Sequence, residues 1–430
     1  MRRMGLSMTV AEEQIRDYPF EPFRGDLPHE LLEMVHTKPV SRVRIPDGRV
    51  VWLVVGYPET SLVLSDPRFA RHNSEIMAAG QPEGCPVGAV EALEADKADS
   101  APASRESGEA GQCPAGLRQL SMDGKPHHDL RRLAARAFTA RRIEAYRPRV
   151  QAITDELIDA LMAVGPPGDL VAGLVVPLPV IVTCELLSIP VADRDKIADW
   201  ANDMMSLTAH GQAGAAQAEA ELRAYLLRRL TARRDEPGED LLSSWIATQA
   251  GSDLSDAEIV GLAIAVLIGG REISSTSAGI RALFQHPTAL RRLREDPSLL
   301  PAAVEEILRY TSVSPMFLVQ TVTEDLELGG QQLRAGDGVM AVPWAANRHA
   351  AAFDEPDRFD LDRPQNNPHL TFGFGPHFCL GAALGRLQVE IAIGTLLRRM
   401  PALAPASDLR DLPWRDERIN CGLAEFPVTW

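Results

Sequence analysis

The sequence predicts a mainly α-helical protein with small β-sheets, and three observations carry that reading. Apolar residues recur at helical spacing through most of the chain, one apolar stretch beyond residue 255 is long enough to cross a whole domain, and only two short regions combine strand-like runs with glycine turn signals. Of 430 residues, 45% are apolar and 24% charged, so the chain can bury a large core, and one long core element can organise a fold of this size. Length alone does not settle the number of domains.

Taken in order, VSRVRIPDGRVVWLVV at 40–55 sets Asp47-Gly48 between β-branched runs, the strongest short-range signal for a hairpin. Residues 84–116 are rich in Ala, Glu, Ser and Gly and contain no aromatic residue, which predicts a flexible insertion. The two CPxG pieces around Cys85 and Cys113 lack the nearby His or second CxxC that a metal site needs. Ser255 and Glu258 have capping-box spacing, and apolar character then continues to about Leu283, ahead of His286-Pro287. This predicts a helix of roughly 30 residues, roughly 45 Å long. Gly269 and Gly270 sit at its middle; at a cost of about 1 kcal/mol each relative to Ala, they imply that something lies against the helix where side chains would obstruct it. PAAVEEILRY at 301–310 predicts a second helix, with Pro301 in its first turn. Gly329-Gly330 marks another strand pair. After Cys379, LGAALGRLQVEIAIGTLLRRM predicts a helix with Leu380, Leu384, Leu387 and Ile391 on one face and Pro401 as its stop.

With 44 basic against 59 acidic residues, the net charge of -15 argues against nucleic acid or an anionic membrane as the main partner. Five scattered cysteines (Cys85, Cys113, Cys184, Cys379, Cys421) are odd in number and lack framework spacing, which predicts a reducing, cytoplasmic setting. The first twenty residues contain no apolar h-region, and the run IVGLAIAVLIGG at 259–270 is too short to span a bilayer. No membrane partner is expected.

FGFGPHFCLG at 372–381 carries the chemistry. Gly373, Gly375 and Gly381 let the backbone wrap closely around one cysteine, and the helix that follows favours its thiolate through the dipole and free N–H groups. Such a thiolate serves as a nucleophile, given a base within reach, or as a metal ligand, including a single axial ligand to haem iron in a protected pocket. His377, two residues before Cys379, is placed for either role.

The pattern Phe372-Gly-x-Gly375-x-His377-x-Cys379-x-Gly381 resembles the haem-binding loop of the cytochrome P450 family, and three further segments match that family in the same order. The resemblance covers nearly the whole chain, from the hairpin at 40–55 to the ending FPVTW, and is closest to soluble bacterial members that oxidise natural products. It implies a single mostly helical domain over residues 1–430, with haem b between the central helix and the cysteine-bearing helix, Cys379 on the iron and Phe372, Gly373, His377 and Gly381 forming its pocket. Glu306 and Arg309 form an ExxR pair; such a pair alone is ordinarily a surface ion pair. In the family it is buried and structural, completed by a downstream arginine that Arg358 in DEPDRFD matches. His127 and Arg131 share a helical face at i, i+4 and match positions that hold a haem propionate, as does His377. Arg132, Arg136, Arg141 and Arg142 add a positive patch suited to an acidic ferredoxin, itself reduced by a ferredoxin reductase.

Two departures stand out. In the central helix Glu272 matches the family's proton-guiding acid, but the usual Thr position is Ile273; Ser274, rotated by about 100° along the helix, is a candidate to hold a water in the relay. Gln320 stands where the family commonly has a propionate-binding arginine, which weakens one haem anchor. The resemblance places Gly269, Ile273, Met316, Val319 and the 84–116 insertion around a small-molecule substrate. It implies oxidation of a natural product with O₂ and ferredoxin electrons, by hydroxylation or by oxidative aryl coupling. The rival readings are a peroxide-driven haem-thiolate enzyme, which the missing Thr makes conceivable, and a haem protein that binds ligands without catalysis.

Overall fold

Val40–Arg44 and Val50–Val54 pair antiparallel, with Val43 opposite Val51, and Gly48 takes φ +86° in the turn between them, a region open mainly to glycine. The computed structural model describes residues 15–21, 24–46, 48–71, 123–204, 209–249, 254–270, 274–311, 318–415 and 422–430. Asp47 therefore lies outside the described residues, as do the 84–116 segment, Glu272, Ile273 and Met316. The strand Val50–Val54 is internal: Gly338–Ala341 pairs parallel with its other edge. The sheet order is Arg16–Asp17, Val40–Arg44, Val50–Val54, Gly338–Ala341, Val319–Val322, Phe69–Ala70. Both faces are covered. Val51, Leu53 and Val55 pack with Leu31, Met340 and Trp344, while Trp52 and Val54 pack with Val63, Leu64 and Leu326. That is why VVWLVV reads as an unbroken apolar run and not as an alternation. Gly329 and Gly330, at φ +54° and +75°, form the two-residue turn between Leu326–Leu328 and Gln331–Leu333, with the positive φ pair that a type I′ turn requires.

The main core is helical. Asp256–Gly269 and Ser274–Gln285 occupy the stretch expected to form the central helix, with 271–273 outside the described residues. The capping box is present: Ser255 Oγ accepts from the Glu258 amide, and the Ser255 amide donates to Glu258 Oε2 at 2.7 Å. Ile259, Val260, Leu262, Ile264, Leu267 and Ile268 are all buried, so the first of these helices has no polar face and runs through the interior. Taken together, 256–285 is long and apolar enough to cross a membrane, but 73% of its most apolar stretch is buried inside the protein. The two glycines have different causes. A Cβ on Gly270 would lie 2.5 Å from Thr183 Oγ1 on the helix Pro177–Leu186, so Gly270 permits close helix packing, whereas a Cβ on Gly269 would meet nothing within 4 Å.

Ser274–Gln285, Leu300–Tyr310 and Ala382–Arg399 meet at Gly279, where a Cβ would come 2.6 Å from Ile307 and 3.4 Å from Ile393. Leu384, Leu387 and Ile391 lie on the buried face of Ala382–Arg399. The cysteine loop is thus held by a helix whose own packing places it beside the central one.

Candidate active site

Residues 370–381 fold back on themselves through three backbone bonds, and a fourth, to Gly381, opens the helix that follows. The Gly373 amide donates to Leu370 O, the Phe378 amide to Gly375 O, the Cys379 amide to Phe372 O at 2.7 Å and the Gly385 amide to Gly381 O. Gly373 and Gly375 take φ +74° and +70°, and a Cβ on Gly375 would lie 2.8 Å from the Leu64 carbonyl. The glycines therefore supply both a backbone conformation and a close approach to Tyr57–Ser65. Gly381 is the N-cap of Ala382–Arg399, and the Cys379 sulfur is 4.0 Å from where its Cβ would be. Cys379 is exposed, in contrast to buried Cys184. An exposed sulfur within a tightly bonded loop is suited to ligation.

Beside it stands a cluster of nitrogen donors. His127 and Arg131 project from the helix Gly124–Ala137; the His127 ring stacks on His377 with centroids 3.9 Å apart, and Arg131 donates to the Phe378 carbonyl. Burial, then the like charges of His377 and Arg131, push His127 down to about 4. Burial likewise lowers His377, against the support of its bond to Asp123. Burial lowers Arg131, and the charge of Cys379 acts in the other direction. Arg71, which the sequence reading had left aside, completes the group and is lowered to about 10 by burial. Donors crowded against one another this way are held most favourably when an anion lies among them.

The buried ion cluster corrects one assignment. Glu306 and Arg309 are 1% and 2% exposed and joined by two bonds, Nε to Oε2 at 2.7 Å and a terminal nitrogen to Oε1 at 2.8 Å. The arginine that completes them is Arg363, whose Nε donates to Glu306 Oε2 at 3.0 Å, and not Arg358. Arg358 points outward to Glu355 and contributes only its carbonyl, which accepts from Arg309 and Arg363. The physical reason is the loop: it brings the Asp360 amide to Glu306 Oε1, which turns Arg363 inward and leaves Arg358 at the surface. A second clamp was not anticipated. Arg386 forms two bonds to Glu305, at 2.6 and 2.9 Å, and lies 4.6 Å over the Phe372 ring; His369 Nε2 is 3.2 Å from the same carboxylate. Burial tends to raise Glu305, but its bonds to His369 and Arg386 outweigh that and hold it at about 2.

The comparisons with known proteins decide the family. A family model described as Cytochrome P450 matches residues 206–412. Nocardicin C N-oxygenase of Nocardia uniformis subsp. tsuyamanensis is 39% identical over 96% of this chain and 98% of its own length. The chain belongs to the cytochrome P450 family. Mycinamicin IV hydroxylase/epoxidase of Micromonospora griseorubida is 38% identical over 98% of this P450 and 100% of that protein. Among solved structures, a cytochrome P450 with biaryl coupling reactivity superposes with TM-score 0.82 at 34% identity, covering 97% of this chain and 100% of the other.

The cofactor of a cytochrome P450 is haem b, and the donors here fit it: an exposed sulfur for iron, a glycine at 381 that keeps a side chain from standing beside that sulfur, and Arg71 and Arg131 with two stacked histidines for propionates. Gln320, at the place of the family's arginine, is 4% exposed, and its amide donates to the Val63 and Phe69 carbonyls at 3.0 Å each. It ties the sheet to its neighbours. Val319 lies in the same strand against Gly338, 3.1 Å from the position of a Cβ there. Ser274 is 2% exposed, with its hydroxyl 3.0 Å from the position a Cβ on Gly422 would take. Arg71, Arg363 and Arg386 could not be separated from surface arginines by spacing. His369, three residues before Phe372, was the nearest available signal.

Proposed function

We infer that this P450 oxidises a small organic natural product with O₂ and electrons from a ferredoxin and its reductase, as an oxygen-inserting or ring-coupling tailoring enzyme. The observation that carries the reading is the exposed Cys379 sulfur at the start of Ala382–Arg399, beside the His127, Arg131 and His377 donors. Bound haem would supply the iron centre at which O₂ takes up two electrons and two protons: in oxygen insertion one oxygen atom enters the substrate and the other leaves as water, and in ring coupling the substrate gives up two hydrogen atoms and both oxygen atoms leave as water. This chain's residues do the rest. Cys379 would hold the iron and push electron density towards it. Arg131 would offset the propionate charge, with the His127 and His377 rings beside it. Glu272 carries protons inward from solvent, with Ser274 holding a water near the end of that path. Gly269, with open space where a side chain would stand, leaves room for substrate beside the central helix.

Relatives on both sides support keeping the two outcomes together: one is named an N-oxygenase, one a hydroxylase/epoxidase, and one solved neighbour has biaryl coupling reactivity. Ile273 at the family's Thr position favours a second reading, turnover driven by peroxide. The test takes both. Reduced wild type under carbon monoxide should show the strongly red-shifted Soret band, and Cys379→Ser should lose it; a band that survives removes Cys379 from the iron. Product formed with NAD(P)H, ferredoxin and reductase supports electron transfer, and product formed with peroxide alone supports the second reading.

A further inference from the structure

Asp123 occupies the N-cap position of Gly124–Ala137, yet its side chain makes no capping bond to that helix. An aspartate there ordinarily accepts from its own helix's first amides, for about 1 kcal/mol. Its carboxylate instead joins two other segments: Oδ1 lies 3.0 Å from His377 Nε2, and Oδ2 accepts from the Arg71 amide at 2.6 Å. Three elements that are far apart in the chain therefore meet at one carboxylate. These are the end of the Phe69–Ala70 strand, the helix that presents His127 and Arg131, and the loop that presents Cys379.

We propose that Asp123 is a positioning residue for the haem-propionate face, fixing the His377 ring against His127 and adding one negative charge beside the haem. The bond to Nε2 fixes the tautomer and plane of His377. The stacking of His127 at 3.9 Å follows the same plane. The proposal rests on the haem-thiolate reading, and its test separates the two. The experiment measures transfer of haem from the holoenzyme to an excess of a haem-scavenging apoprotein, the reduction potential of the haem, and hydrogen exchange of the 373–379 amides in the haem-free protein. Asp123→Ala should lose haem about tenfold faster, the size expected for one charge-assisted hydrogen bond, and exchange faster in that loop. Asp123→Asn keeps one acceptor oxygen and should lose haem at a rate between the two, while its potential moves positive because a negative charge is gone. That potential shift separates positioning from bulk stability. Unchanged haem loss in Asp123→Ala, or an unmoved potential in Asp123→Asn, overturns the proposal. A wild type that takes up no haem overturns the functional reading, and the linkage is then decided by the exchange rates alone, unchanged rates counting against it. Should Asp123→Ala not fold, the haem-loss and exchange comparisons pass to Asp123→Asn.

Discussion

One carboxylate between two guanidiniums, as Glu306 lies between Arg309 and Arg363, keeps its geometry only while every donor is in place. The spare guanidinium nitrogens go to the carbonyls of Asn347, Pro356, Asp354 and Arg358, so the excess positive charge is spread over backbone dipoles. Removing one partner of such a buried set leaves a charge without compensation. We expect Arg363→Leu to destabilise the protein by about 3 kcal/mol or more, and Arg358→Leu, at a side chain 60% exposed, to change stability by under about 0.5 kcal/mol. Denaturant midpoints of the two variants check this. Equal losses would restore Arg358 to the cluster. The pair Glu306–Arg309 was legible from its i, i+3 spacing and the family resemblance, but the identity of the third member was not. Arg358 and Arg363 sit five residues apart in one irregular loop, and only the path of that loop turns one inward.

At the scale of elements, the site is a joint between Leu300–Tyr310, Ala382–Arg399 and the glycine loop. Glu305 links the first helix to Arg386 on the second, and Arg386 covers Phe372 at the root of the loop. The Glu305 carboxyl is held at about 2 against an ordinary 4.5. A carboxyl lowered on folding contributes stability that is fully present above the unfolded value and is lost as pH falls towards the folded one. Stability of wild type should therefore fall between about pH 4.5 and 2 partly through this group, and Glu305→Gln should be less stable at neutral pH but flatter across that range. Parallel slopes for the two proteins in urea melts would remove the clamp. Much of this level was readable in advance: the Ser255 capping box, the Gly329-Gly330 turn and the helix after Cys379 are all present where local sequence placed them. Their angles to one another were not, because helix crossings depend on contacts such as Gly270 with Thr183 and Gly279 with Ile307, which join residues far apart in the chain.

For the whole molecule, a net charge of -15 makes any basic surface a local exception. Arg136 and Arg141 are exposed near the site, while Arg132 lies 3.5 Å from Asp129 and Arg142 donates to Ser244. The groove beside them, about 960 Å³, is lined by Lys125, Arg132, Arg136 and Arg142 and also by Asp129, Glu239, Asp240 and Glu258. An acidic electron donor would therefore be steered by few arginines and would depend on each. Arg136→Glu should lower the rate of reduction by ferredoxin about tenfold at low salt and weaken its dependence on ionic strength, with the carbon monoxide spectrum unchanged. Stopped-flow reduction at two salt concentrations measures it. An unaltered rate would place the donor elsewhere.

The sequence by itself determined the helical class, the turns, and the glycine loop around Cys379, because each is written in neighbours within a few residues: glycines where φ is positive, a cap three residues before its partner, a sulfur ahead of a helix. Tertiary structure alone decided that Arg363 and not Arg358 reaches Glu306, that Gln320 faces backbone carbonyls, and that Asp123 serves His377 instead of its own helix. Those choices compare burial, charge and hydrogen-bond geometry among segments brought together only by folding, and no local spacing encodes the comparison.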